Sequence, residues 1–486
     1  MICVPITSKT VSEAIYNIKK AENVADIIEL RADYLKNPDL KVLLNATQKP
    51  VIVTCRKKYE GGLYDGDEKG RVDVLLNAIA AGADYVDIEL STPESLLEEI
   101  KKKQAETRLI LSYHNFKQVP EDLQIIFDRM LQKGCEVIKI AVMANSIEDN
   151  LKIFDIIEQA KNKKISIIAF CMGEHGEISR ILSPIFGSYL TFGSLSRGKE
   201  SAPGQIPADI LKNIYRVNEL NSNVNVYGLI GNPVKESMGY LIHNRSFVNK
   251  ELNNIYLAFL VNALPSFVSC YRKYFKGMSV TMPFKEQVIP LLDEIDGTAK
   301  KIGAVNTLQI RDGKLFGCNT DCSGAVKALE ERIELKGKKV FMIGAGGVAR
   351  AIGFGIMEKG ACVYIFDVDT SKADSLAEDL GCQTTSVESI GSNFEILINC
   401  SPVGMQPNVD KTPFSKERLK KGMVVFDAVY NPLKTRLLRE AEKIGCITIP
   451  GIDLFVNQAV DQFELWTGEK APKNLMREIV IERLSS

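Results

Sequence analysis

The stretch LILSYHNFKQVPEDLQIIFDRMLQKGCEVIKIA, residues 109–141, holds one complete folding unit. An apolar run, Leu109–Tyr113, gives way to an amphipathic stretch and then to a second β-branched run, Val137–Ala141. Strand, helix and strand in that order make a βαβ unit, whose two strands lie parallel. His114 closes the first run and Lys139 falls near the end of the second, so neighbouring strands would carry both. The same alternation continues on either side, with further runs at Ile2–Pro5, Asp26–Leu30, Val51–Cys55, Tyr85–Leu90, Ser166–Phe170 and Leu190–Phe192. Eight βα units over residues 1–217 predict an α/β fold that begins with a (β/α)8 barrel, its chemistry at the C-terminal strand ends. The polar stretch NELNSNVN, residues 218–225, predicts a linker, and VYGLIGNP opens a second α/β region.

Composition narrows the function. Of 486 residues, 61 are Lys or Arg and 61 are Asp or Glu. With no net field to gather nucleic acid or an anionic membrane, small-molecule chemistry is expected, with anionic ligands held by local groups. No apolar stretch is long enough for a membrane span and MICVPITSKT lacks a signal core, so a cytoplasmic location is expected. Eleven cysteines without a CxxC pair point to reduced, mostly buried thiols, and no cluster at ligand spacing suggests a metal.

With only three histidines, the search for a general base is short. His114 and Lys139 can both point into a barrel mouth. A lysine flanked by Val137, Ile138 and Ile140 would have its charge disfavoured by desolvation, which frees the amine to attack a ketone. The protonated imine is an electron sink, and a base beside it can remove the α proton. His175, in GEHGE, reads as a loop residue without a catalytic role, and His243 belongs to the other half.

ELRAD (29–33), TCRKKYEGG (54–62), SYHN (112–115), SRI (179–181) and SAPGQ (201–205) resemble the type I dehydroquinases in order and spacing. The resemblance implies an imine between Lys139 and 3-dehydroquinate, proton abstraction at C2 by His114, and Glu60 as the group that orients the histidine. It implies Arg180 on the substrate carboxylate with Ser201 and Gln205 nearby, and Glu29, Arg31 and Arg56 around the ring hydroxyls. Met172 and Phe192 read as apolar walls.

In the second half, VFMIGAGGVARAIGFGI (340–356) reads as strand, glycine turn and helix, which lets backbone N–H groups and a helix N-terminus meet a pyrophosphate. Gly344, Ala345, Gly346, Gly347 and Val348 form the turn, although the spacing is not a strict GxGxxG. The next strand ends at Asp367, about 20 residues on, where a carboxylate can accept from ribose hydroxyls. Two lobes are expected: a substrate lobe of residues 226–325 plus 452–486, and a Rossmann lobe of 326–451.

GNPVKES (231–237), SVTMPFKE (279–286), GAVNT (303–307), NTD (319–321), SPVGMQP (401–407) and GIDLFVNQAVDQFELWTG (451–468) resemble the shikimate and quinate dehydrogenases. The resemblance implies Lys285 and Asp321 as the pair that shares the alcohol proton. It implies Ser237, Thr281, Asn306, Tyr430 and Gln458 on the substrate, and Asn399, Met405 and Gly451 near the nicotinamide cofactor. Together the two resemblances imply that 3-dehydroquinate becomes 3-dehydroshikimate in the first half and that the second half reduces it to shikimate.

Two departures stand out. Where NADP-using relatives carry Asn-Arg-Thr, this chain has Asp367, Val368 and Asp369, so NAD(H) is expected over NADP(H). The second serine of the SxSP motif is replaced by Gly239, which opens room for the extra hydroxyl of quinate and keeps an NAD-dependent quinate dehydrogenase as an alternative. A class I aldolase beside a generic dehydrogenase, and a silent metabolite-binding scaffold, are the rival readings. Against the scaffold, every catalytic candidate is intact.

Overall fold

The computed structural model describes residues 1–36, 38–386 and 394–485. Packing divides them into two compact units, Met1–Asn225 with Asn253–Cys270, and Val226–Leu252 with Tyr271–Ser486.

The first unit contains all eight predicted strands: β1 (Ile2–Ile6), β2 (Ile27–Arg31), β3 (Val51–Thr54), β4 (Tyr85–Glu89), β5 (Arg108–Asn115), β6 (Val137–Met143), β7 (Ser166–Met172) and β8 (Thr191–Phe192). They pair in parallel in the order β7-β6-β5-β4-β3-β2-β1-β8. A 2.6 Å hydrogen bond from Tyr189 N–H to the Ile167 carbonyl all but closes the ring. Strands buried on both faces must be apolar almost throughout, which is why these segments read as continuous β-branched runs.

Inside, side chains alternate in layers. Cys3, Ile52, Ile110 and Ile168 belong to one apolar cluster. Ile27, Tyr85 and Val137 belong to the same cluster, and two residues further along their strands come Glu29, Asp87 and Lys139, all buried. Register pairs Ser112 with Lys139 and His114 with Ala141, which sets the histidine one inward step beyond the lysine on the adjacent strand. β5 and β6 each run two residues past their predicted ends, so His114 lies within its strand. His175 sits in the short turn Glu174–Gly176 with Nδ1 3.1 Å from the Leu260 carbonyl oxygen.

In the second unit, the strand Gly277–Val280 pairs parallel with Asn225–Gly231 and antiparallel with Thr307–Arg311, which pairs in turn with Lys314–Cys318. The other sheet is wholly parallel. From one edge it runs Gln383–Thr384, Cys362–Phe366, Lys339–Ile343, Ile396–Asn399, Val424–Asp427 and Ile447–Ile449. That is the doubly wound order, which opens a ligand crevice at the C-terminal strand ends where the order reverses. The helix Thr320–Glu330 passes straight through the expected lobe boundary at 325/326.

The helix Gly451–Thr467 returns to the first of these sheets. Its Trp466 donates Nε1–H to the Leu308 carbonyl at 2.9 Å and stacks on Tyr227 at 5.3 Å between centroids. A Cβ on Gly277 would lie 2.3 Å from that indole nitrogen, so only glycine admits the ring. No helix among the described residues is long and apolar enough to cross a membrane.

Candidate active sites

Lys139 does not sit among the isoleucines that flank it in sequence. Strand alternation turns those outward, and its Nζ lies 2.8 Å from Asp87 Oδ2 and 3.4 Å from Glu29 Oε1, with the Phe192 ring centroid at 4.3 Å. Asp87 carries more than the lysine: Arg56 approaches Oδ2 at 2.7 Å and Ser112 donates to Oδ1 at 2.6 Å. Burial raises this carboxyl, but Arg56 and Lys139 outweigh it and hold Asp87 well below the usual carboxylate range. Arg56 also reaches Glu89 at 3.1 Å, and Thr54 donates to Glu29 at 2.9 Å. Asp87 and Glu89 escaped the sequence reading. The available signal was two acids, two residues apart, in a strand that must be buried on both faces.

His114 Nδ1 meets Glu60 Oε2 at 3.1 Å, and Ser91 donates to Glu60 Oε1 at 3.1 Å. Burial, with the cations Arg56 and Lys139, holds His114 well below its ordinary value, so the ring is a neutral base. Burial pushes Glu60 up to about 7 against the pull of Arg56. Below that pH Glu60 takes up a proton and loses the negative charge that would stabilise a protonated His114. Dehydration is therefore expected to slow as pH falls through about 7, and Glu60→Gln to flatten that limb. Rates measured across the neutral range check this; a wild-type profile without the limb would contradict it.

Arg180 is wholly buried. Its Nη2 donates to the Pro203 carbonyl at 3.1 Å and its guanidinium stacks over Phe170 at 4.5 Å, while Nε and Nη1 have no hydrogen-bond partner among the described residues. Burial lowers it to about 10. Gln205 accepts from Ser201 N–H at 2.7 Å and leaves its buried Nε2 unpaired. Unsatisfied buried donors are costly, so these atoms fit an absent carboxylate. They line one cavity together with Glu29, Arg31, Arg56, Glu60, His114, Lys139, Met172, Phe192 and Ser201. Arg31 turns Nε and Nη2 onto Asp33, at 2.9 and 2.8 Å.

In the second unit, Lys285 Nζ lies 2.6 Å from Asp321 Oδ2. Asn319 caps the helix Thr320–Glu330 by accepting from Cys322 N–H at 3.1 Å, which places Asp321 in the first turn where the helix dipole favours a carboxylate. Asn306 Oδ1 accepts from Thr320 N–H at 2.7 Å and Thr307 Oγ1 at 2.8 Å. Ser237 Oγ accepts from Gly239 N–H at 3.2 Å, and Thr281 N–H reaches the Ile230 carbonyl at 3.0 Å. Tyr430 stacks on Phe455 at 4.6 Å, and Gln458 donates to the Phe455 carbonyl at 3.1 Å. Burial, then Glu236, raises the Tyr430 phenol.

At the glycine turn, Gly344 adopts φ +106° with its would-be Cβ 2.9 Å from Cys400 backbone, so the tight turn requires glycine. Cβ atoms on Gly346 and Gly347 would meet nothing within 4 Å, which leaves the start of the helix Gly347–Glu358 open to a pyrophosphate. Val348, in that first turn, packs on the core. Asp367 Oδ2 accepts from Ala345 N–H at 2.8 Å, and Val368 beside it is 92% exposed. These residues fit a dinucleotide.

Asn399, expected beside the nicotinamide, is fully buried and donates Nδ2–H to Asp427 at 2.9 Å while accepting from Ser401. Its amide holds the following loop, which bears the half-exposed Met405. Gly451 is forced by packing, since a Cβ would lie 2.5 Å from the Val429 carbonyl oxygen.

Residues 2–222 match the family model of type I 3-dehydroquinase, 229–308 that of the shikimate dehydrogenase substrate binding domain, and 451–481 that of the shikimate 5'-dehydrogenase C-terminal domain. The chain is 41% identical over 509 residues to the chloroplastic bifunctional 3-dehydroquinate dehydratase/shikimate dehydrogenase of Arabidopsis thaliana, covering 99% of this chain and 84% of that one. Shikimate 5-dehydrogenase of Thermus thermophilus, solved with NADP(H) and shikimate, superimposes with a TM-score of 0.50 at 32% identity over 53% of this chain and 99% of that chain. The Listeria monocytogenes enzyme, solved with shikimate and NAD, gives 0.51 at 32% over 54% and 98%. Barrel, doubly wound sheet and matches together define a fused lyase and oxidoreductase. The chain belongs to the family of bifunctional dehydroquinate dehydratase/shikimate dehydrogenases of the shikimate pathway.

Proposed function

We propose that the barrel, residues 1–217, dehydrates 3-dehydroquinate through an imine on Lys139, and that the region after the 218–225 linker reduces the product to shikimate through the Lys285–Asp321 pair. The observation that supports this most directly is one cavity lined by a lysine between two carboxylates, a neutral histidine braced by Glu60, and a buried arginine with two nitrogens unpaired among the described residues.

Arg180 and Gln205 take the substrate carboxylate, while Glu29, Arg31 and Arg56 meet the ring hydroxyls. The Lys139 amine attacks the ketone, water leaves, and a protonated imine results. His114 removes the C2 proton, and its Nδ1–H points its new charge at Glu60. The same proton then goes to the C1 hydroxyl, which departs as water, and hydrolysis of the imine returns the lysine.

In the second unit a bound nicotinamide supplies hydride. Residues 326–451 hold it through the turn Gly344–Val348 and through Asp367, whose charge opposes a 2′-phosphate. Residues 226–325 with 452–486 hold the substrate through Ser237, Thr281, Asn306, Tyr430 and Gln458. Lys285 and Asp321 deliver the proton that turns the ketone oxygen into an alcohol.

Given 3-dehydroquinate and reduced nicotinamide, the purified chain is expected to release shikimate with no second enzyme; accumulation of 3-dehydroshikimate would sink the second half of the reading. Shikimate oxidation measured with NAD and with NADP tests the cofactor. The exposed Val368 beside Asp367 supports NAD(H), with an expected preference in kcat/KM of about tenfold or more, worth roughly 1.4 kcal/mol. Equal or better turnover with NADP would reverse that assignment. Quinate as the main substrate is not favoured, because the Arabidopsis thaliana relative and both solved structures described above carry shikimate in their names.

A further inference from the structure

Asp427 ends the strand Val424–Asp427 as a fully buried carboxylate that no resemblance singled out. Its Oδ1 accepts from Asn399 Nδ2 at 2.9 Å and from Val429 N–H at 3.1 Å; its Oδ2 accepts from Thr435 Oγ1 at 2.6 Å. Each donor belongs to a different segment. Asn399 begins the loop to Met405, which it secures by accepting from Ser401 N–H and Oγ at 3.0 and 2.7 Å. Val429 immediately precedes Tyr430. Thr435 caps the helix Arg436–Ile444. The two loops also touch through Gln406 N–H and the Asn431 carbonyl, at 3.2 Å.

We propose that Asp427 is a positioning residue for the dehydrogenase reaction: one carboxylate that fixes the spacing between the loop bearing Met405 and the loop bearing Tyr430. The inference rests on the assignment of Met405 to the cofactor and Tyr430 to the substrate. Hydride transfer tolerates little misplacement of its two partners, so a shared anchor controls rate rather than affinity alone.

An ionised carboxylate accepts from all three donors with its charge behind each bond, whereas a protonated one keeps the two N–H bonds at Oδ1 without that charge and turns its Oδ2–H onto Thr435 Oγ1, which reverses the contact to the helix start. The groups facing it are Asn399 on the neighbouring strand, Val429 N–H beyond its own strand, Thr435 at the helix start and the Cys400 thiol, which its charge helps to raise. Burial outweighs the three hydrogen bonds and pushes Asp427 up to about 6. The anchor is therefore charge-assisted above that pH and weaker below it.

The test is the pH profile of shikimate oxidation at saturating nicotinamide for the wild type, Thr435→Val, Thr435→Ser and Asp427→Asn, with dehydration by the same chain measured alongside. Thr435→Val keeps the shape and removes one donor to the charge along with the cap on Leu438 N–H, so the acidic limb is expected to move up by about half a pH unit or more. Thr435→Ser restores it. Asp427→Asn is expected to lose the limb and to lower kcat at alkaline pH about tenfold, with dehydration untouched. An unmoved limb in Thr435→Val overturns the inference, even where Asp427→Asn fails to fold. A wild type that does not oxidise shikimate overturns the underlying site assignment as well, a separate and recognisable result.

Discussion

Replacing Lys139 by methionine is expected to stop dehydration, by a factor on the order of 10⁴ or more, while shikimate oxidation by the same chain proceeds at its full rate. The amine is the one group lining the cavity that can form an imine with the ketone, and without the imine His114 faces an α proton that nothing has acidified. The substitution also strands Asp87 beside Glu29, and breaking a buried ion pair costs about 3–5 kcal/mol, so lost activity could reflect a damaged barrel. Borohydride separates the two causes. Added to the wild type with 3-dehydroquinate, it should fix the reduced adduct on Lys139 and inactivate dehydration only. An adduct on a different lysine, or dehydration surviving in Lys139→Met, would remove Lys139 from its role.

The second large effect is expected at Lys285. Lys285→Met should lower kcat for shikimate oxidation by about 10²–10⁴, the usual weight of a positioned proton carrier, with a much smaller change in KM. Asp321 keeps its place in this variant, since the Asn319 cap and the first helical turn hold it independently of the lysine. Asp321→Asn should fall in the same range, and the double variant should lose little more than either single one, because the two act as a unit. Additive losses, or an effect confined to KM, would make the 2.6 Å pair a binding contact instead.

Much of this architecture could be read before any coordinate was known, and the reasons are specific. All eight barrel strands announced themselves because parallel strands covered on both faces must be β-branched and apolar along their length. His114 and Lys139 were legible as a pair because adjacent strands of a βαβ unit deliver them to one end. What surrounds Lys139 was not. Asp87 lies two strands away, brought to it by the register of β4, β5 and β6 and by the layer that Ser112 spans, so sequence neighbours misled. In the second unit, the glycine turn and Asp367 were visible at their spacing, but the burial of Asn399 was not. Its partner, Asp427, is 28 residues distant and meets it only through strand register. The helix Thr320–Glu330 crosses the expected lobe boundary because an edge placed ahead of the next strand and glycine turn cannot see a helix that spans it.

The chain contains a single tryptophan, and Trp466 stacks on Tyr227 in the second unit, almost wholly shielded from water. Light absorbed at the red edge, where tyrosine is dark, is therefore emitted from the dehydrogenase half alone. Melting of that half should appear as a red shift of the emission, and the barrel should be optically silent in the same experiment. Nature has thus labelled one of two covalently joined enzymes and left the other blank, so their separate stabilities can be read from an unmodified chain by comparing fluorescence with the loss of total secondary structure.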